Sequence, residues 1–129
     1  MKVATKAQVE KPFLAPLGEE IFELLGKPAD QGGSVKHSLA HVVIRPGKLS
    51  PRHYHKVSEE SYYMLKGAAR MTIDDREFTL TPGQAVLILP GEIHQIFNET
   101  NSDVEFLVAC APAWEPGDFF EAEEKAVKK

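Results

Sequence analysis

Between Ser34 and Pro112 the chain is a series of short apolar runs cut by turn residues, and this rhythm limits what it can become. A run over 35–45 ends at Pro46-Gly47, a run over 60–66 at Gly67, and a run over 70–73 at Asp74-Asp75. The last of these reads as a hairpin, with 77–80 as its return strand before Pro82-Gly83. Further runs cover 85–89, 95–97 and 104–111, with 98–102 as an intervening loop. Short strands at regular spacing, divided by turn residues, predict an all-β sandwich or barrel. No long helical period interrupts them, which argues against a parallel α/β architecture. The unbroken apolar run 85–89 predicts a strand buried on both faces.

The flanks are less patterned. Residues 1–16 are polar, carry Pro12 and Pro16, and read as an arm. The segment 18–26, GEEIFELLG, suits a short helix or a strand, and KPADQGG over 27–33 is a loop. After Pro112, Trp114 and Pro116 stop the last strand, Asp118 is placed to cap a short closing helix over 119–127 with Phe119, Phe120 and Val127 on its apolar side.

At 129 residues with 43% hydrophobic content, the chain has the size and apolar content of one domain. Its net charge of −4 argues against nucleic acid, which needs a concentrated basic surface. The single cysteine, Cys110, fits a reducing compartment and reads as a buried, inert thiol. The first residues show no apolar secretory core, and no run approaches membrane-spanning length. The expectation is a cytoplasmic protein without membrane partners.

Chemistry is suggested by four side chains. His53 and His55 flank Tyr54, so on extended backbone they point the same way. Glu60 follows five residues later and His94 lies far downstream. Imidazole nitrogen and carboxylate oxygen are donors for zinc and first-row transition metals. The frame runs from Gly47 through His53, His55 and Glu60 to Gly67, then from Gly83 through Pro90-Gly91 and His94 to Asn98. Over residues 35–112 these two stretches closely resemble the paired motifs of the cupin superfamily. One departure is Leu89, where that family often opens its P-x-G step with proline; every ligand position stays in place.

The resemblance implies a double-stranded β-helix, or jelly-roll barrel. Residues 1–34 would be an N-terminal arm, 35–112 the barrel, and 113–129 an extension carrying the short C-terminal helix. It implies that His53, His55, Glu60 and His94 bind one divalent metal ion (Fe, Mn, Zn, Ni or Cu). It also implies an extended leading segment, paired in related proteins with the partner's sheet, and hence a homodimer. With Glu60 inward, strand parity brings in Tyr62 and Met64, and His94 brings in Ile96 and Asn98. Glu59 then falls on the solvent side. Tyr62 is the candidate general acid or base in an otherwise apolar pocket suited to a small molecule.

His37 and His41 share a strand face, and Arg45, Arg52 and Arg70 are available to an anionic ligand; a surface role suits all five. The expected function is a metal-dependent enzyme on an oxygen-rich metabolite, of dioxygenase or isomerase/lyase type. The alternative is a barrel that binds or senses a small ligand without converting it.

Overall fold

The computed structural model describes residues 1–123. Its strands, in chain order, are β1 (Phe13–Leu14), β2 (Glu19–Leu25), β3 (Ser38–Ile44), β4 (His53–Tyr54), β5 (Glu59–Lys66), β6 (Ala69–Ile73), β7 (Arg76–Leu80), β8 (Ala85–Ile88), β9 (His94–Phe97), β10 (Val104–Ala111) and β11 (Phe120–Glu121). They form a six-stranded sheet, β1-β2-β3-β10-β5-β8, and a five-stranded sheet, β11-β4-β9-β6-β7, with antiparallel pairing throughout. The chain crosses repeatedly between the two sheets, as the expected jelly-roll barrel requires.

Alternation of side chains builds the core. On β5, Glu60, Tyr62 and Met64 are buried while Glu59, Tyr63 and Leu65 are exposed. Met64 pairs with Phe106, which pairs in turn with Val42, and all three belong to the apolar core with Ile44, Met71 and Ile96. The 74–75 hairpin forms as expected: Ile73 opposes Arg76, and Asp74 takes a φ of +51°. Gly67 is needed where it stands. Its φ is +77°, and a Cβ there would lie 2.7 Å from the Asp103 carbonyl oxygen.

Two expectations need correction. The 85–89 run is not buried on both faces: Leu87 is 52% exposed and Leu89 48%. The reason is that, among the described residues, nothing covers the outer face of this sheet at β8, as Tyr63 and Leu65 on the neighbouring β5 also show, and periodicity cannot reveal that. The leading segment is extended, as expected; β2 pairs with β3 of its own chain, leaving β1 outermost with Phe13 and Leu14 exposed.

The closing helix is absent over its described part. Phe119 is extended and β11 pairs with β4, while residues 124–127 of that expected helix lie outside the described region. Two adjacent phenylalanines would share one helix side. On extended backbone they separate, Phe119 stacking on the His53 ring at 5.0 Å and Phe120 on Tyr54 at 5.4 Å.

Candidate metal centre

The two sheets contribute donors from opposite walls. His53 on β4 lies directly opposite His94 on β9, and Glu60 reaches in from β5 of the facing sheet. His55 lies just beyond β4, where its carbonyl accepts the Gly91 amide at 2.7 Å. The turn at Pro90-Gly91 therefore fixes both late and early histidines. Ser50 aligns the approach to β4 through paired bonds with Ile96: its amide donates to the Ile96 carbonyl at 2.9 Å, and its hydroxyl accepts the Ile96 amide at 3.0 Å.

His53, His55, Glu60 and His94 are all buried, and one nitrogen or oxygen from each lies within 4.8 Å of every other. Donors at about 2.0–2.2 Å from one ion stand at most about 4.4 Å apart, so a modest contraction closes the set around a cation. The four residues expected from the sequence are the four brought together.

Ring orientation decides which atoms face inward. Each histidine donates its Nδ1–H to a backbone carbonyl: His53 to Pro51 at 2.7 Å, His55 to Asp118 at 2.6 Å, His94 to Glu92 at 2.9 Å. A neutral ring bonded this way carries a lone pair on Nε2, the tautomer suited to metal binding. His55 Nε2 and His94 Nε2 approach Glu60 Oε1 at 3.0 and 3.2 Å, yet none of these three buried atoms has an aligned hydrogen bond. Converging acceptors without hydrogens between them are costly to bury. A cation among them removes the cost, so the residues fit a divalent metal.

Electrostatics favour positive charge beside Glu60 and a neutral ring at His53. Burial, reinforced by His94, pushes His53 down to about 4, which keeps it neutral near pH 7. Burial alone would raise Glu60, but His55 and His94 overcome it and hold the carboxyl at about 2. His55 moves the opposite way from His53: burial lowers it, but the Glu60 carboxylate outweighs burial and the net direction is up, so positive charge is favoured beside that carboxylate.

Two buried acids escaped the sequence reading. Asp118 does not cap a helix. Its buried carboxylate accepts the amides of Lys56 at 2.8 Å, Val57 at 3.0 Å and Ser58 at 2.9 Å, while its carbonyl orients His55. The nearest sequence signal was an Asp after a Pro-Gly step, which reads equally well as a cap. Glu19 was hidden in the ambiguous leading segment, and it is buried on the inner face of β2 opposite Ile44.

Tyr62 is inside, 2% exposed, stacked on Phe106 at 4.9 Å and edge-on to His94 at 6.1 Å. Burial, aided by the charge of Glu60, raises its hydroxyl well above 10. Tyr62, Met64 and Ile96, expected as a pocket wall, instead pack into the core at 2% exposure or less. Asn98 is also buried, but it closes its own loop by donating to the carbonyls of Ile44 and Ser102.

Glu59 is exposed. His37 precedes β3 on the surface, and His41 meets Glu105 at 2.8 Å. Arg45 pairs with Glu20 and Asp103, Arg70 with Glu77 and Glu99, and Arg52 donates to the Glu123 carbonyl. Cys110 is buried with its thiol pushed up, chiefly by burial, to about 12. Among the described residues no helix is long and apolar enough to cross a membrane.

Two walls of an antiparallel barrel carrying a three-histidine, one-glutamate cluster define a class of small metal-site barrels. The family model of the cupin domain matches residues 40–110, and the chain belongs to that family. It is 33% identical over 116 residues to the uncharacterized protein MJ1618 of Methanocaldococcus jannaschii, covering 90% of this chain and 91% of the relative. Among solved structures, the polyketide cyclase RemF of Streptomyces resistomycificus superposes with a TM-score of 0.76 at 23% identity, over 97% of this chain and 87% of that one. The oxalate decarboxylase of Lactobacillus farciminis, solved as a formate complex, gives 0.73 at 22% identity. That match covers 86% of this chain but only 33% of the other. At such identities these two structures establish the fold alone.

Proposed function

We propose that this cupin is a metal-dependent enzyme acting on a small, oxygen-rich metabolite, with His53, His55, Glu60 and His94 holding one divalent ion. The observation that carries the reading is the set of three imidazoles whose Nδ1–H groups are all committed to carbonyls, leaving Nε2 atoms gathered about an unpartnered Glu60 oxygen. A metal with four protein ligands keeps one or two positions for a ligand, and there it polarises a carbonyl or lowers the pKa of a bound hydroxyl. Neighbours named for cyclase and oxalate decarboxylase activity support small-molecule chemistry of oxygenase, lyase or isomerase type.

In this reading the chain's own residues do three things. The four ligands position the reacting oxygen atoms. Phe119, stacked on His53, excludes water from one side of the centre. Tyr62, held in its phenol form and edge-on to His94, offers a hydrogen bond towards the centre.

A homodimer also fits the exposed apolar side chains at both edges of the six-stranded sheet, Phe13 and Leu14 on one side and Leu87 on the other. A non-catalytic ligand-binding barrel is the second reading, favoured by the tight packing of Tyr62, Met64 and Ile96.

The test is turnover of a panel of hydroxy acids, keto acids and enediols by iron-, manganese- and zinc-loaded protein, with and without air. Metal-dependent substrate loss supports the enzyme. Tight binding with every ligand recovered unchanged supports the sensor and overturns catalysis.

A further inference from the structure

The four donors of the metal centre are 6% exposed or less. An ion and a small molecule that bind there need a way in, so one wall of the centre has to move. The walls are unequal. Glu60 stands on β5, between β10 and β8, and His94 stands on β9, between β6 and β4. His53 stands on the two-residue strand β4, which shares one registered pair with β9 and has β11 as its other neighbour. β11 is also two residues long and lies at the end of its sheet.

After β10 the chain crosses from the six-stranded sheet to the five-stranded one, passing over the donors. Asp118 is the post of this crossing: its carboxylate holds the amides of residues 56–58 and its carbonyl holds His55. Beyond Asp118 the hold is light. Phe120 and Glu121 pair with Tyr54 and His53, the Ala122 amide donates to the Arg52 carbonyl at 2.8 Å, and the Lys56 ammonium lies 4.3 Å from the Phe120 ring. Residues 119–122 are all partly or fully exposed, the condition under which a segment opens most readily. Phe119 meets solvent on one side, and on the other its ring lies 5.0 Å from that of His53 and 6.2 Å from that of His55.

We propose that residues 119–122 form a flap hinged on Asp118, which lifts Phe119 off the His53 ring and opens the centre to the metal ion and the small molecule. What the flap admits rests on the proposed metal site; its motion is a property of the metal-free chain. None of its residues is among the four donors, and Asp118 keeps orienting His55 while it opens. The flap therefore governs rates of entry and exit, and the donors govern affinity.

The test locks the flap. Tyr54 and Phe120 are registered partners whose rings stack at 5.4 Å, so Tyr54→Cys with Phe120→Cys places two thiols within reach of a disulfide, apart from the buried Cys110. Full-length, metal-free protein is treated with diethyl pyrocarbonate, and mass spectrometry follows modification of His53, His55 and His94 against the exposed His37. Oxidising the double variant is expected to slow the three site histidines at least about tenfold relative to its reduced form, because reaction follows the open fraction. Phe119→Ala is expected to speed them about tenfold over wild type, with His37 unchanged in every case. In a second arm, cobalt(II) uptake and chelator-driven release slow together on oxidation, and cobalt affinity stays within about threefold.

Equal modification rates in the oxidised and reduced forms overturn the flap, as does a Phe119→Ala protein that reacts like wild type. Two cysteines that fail to pair under oxidant overturn it as well, by removing β11 from β4. A wild type that takes up no cobalt fails at the metal site instead, and the histidine rates still decide the flap.

Discussion

Glu60 and Glu19 are the same side chain, both inward on the six-stranded sheet and both hidden from water, 5% and 7% exposed. Their states are opposite. Glu60 is held at about 2, and Glu19 is driven to about 8. Burial pushes both towards neutrality; only Glu60 has two imidazoles, at 3.0 and 3.2 Å, to reverse it. The difference locates where the barrel is prepared for positive charge and where it holds a neutral acid. Partners, not depth, set the charge of a buried acid.

The strongest way to break this contrast is Glu60→Gln, which keeps the shape and removes the charge. Metal affinity is expected to fall by more than the roughly 10–100-fold seen when an outer partner of a metal ligand is lost. In the metal-free protein the introduced amide can donate to an Nε2 lone pair, so stability is expected to hold or rise. Cobalt titration and urea unfolding measure the two effects. An unchanged affinity would remove Glu60 from the centre.

Asp118→Ala comes next, because it acts on the same centre from outside. Three amides at 56–58 lose their acceptor, at a cost of about 2 kcal/mol. His55 loses its anchored carbonyl geometry, so metal affinity is expected to drop about 10–100-fold. A stability loss without any change in metal affinity would make the tail a clamp on the fold only.

A pH series sharpens the other half of the contrast. The Glu19 carboxyl has a folded-state pKa raised from 4.5 to about 8, so its stabilising protonated form is fully present below about 4.5. That contribution declines as pH rises and is gone above about 8. The metal-free wild type should therefore lose up to about 1.4 kcal/mol per pH unit relative to Glu19→Gln across that window. Parallel curves for the two proteins would show that Glu19 is not unusual.

The smallest effect belongs to Glu59→Ala, one residue from Glu60 but on the opposite face of β5. It should stay within about 0.5 kcal/mol and leave metal affinity intact. A large change there would mean that the parity assigned to β5 is wrong.

The barrel and its four donors were legible because they depend on local rules. Turn residues divide the strands, and a period of two sends His53, His55, Glu60 and Tyr62 inward. What stayed hidden depends on distant pairing. Asp118 acts on residues some sixty positions earlier, and its local pattern of Asp before two aromatics imitates a helix start. The 85–89 run carries the composition of a doubly buried strand, and Leu87 is exposed because the outer face of its sheet is uncovered there, as at Tyr63 and Leu65 on β5. Glu19 could not be read as inward until the register of β2 on β3 was known, including the shift between Glu23 and Leu25.

The most direct measurement is X-ray absorption on protein loaded with one equivalent of divalent metal, for the wild type and for His94→Ala. The account predicts one ion per chain in a nitrogen- and oxygen-rich shell with imidazole scattering, and a shell depleted by one imidazole in the variant. An ion that is not retained, or a shell identical in His94→Ala, would contradict it.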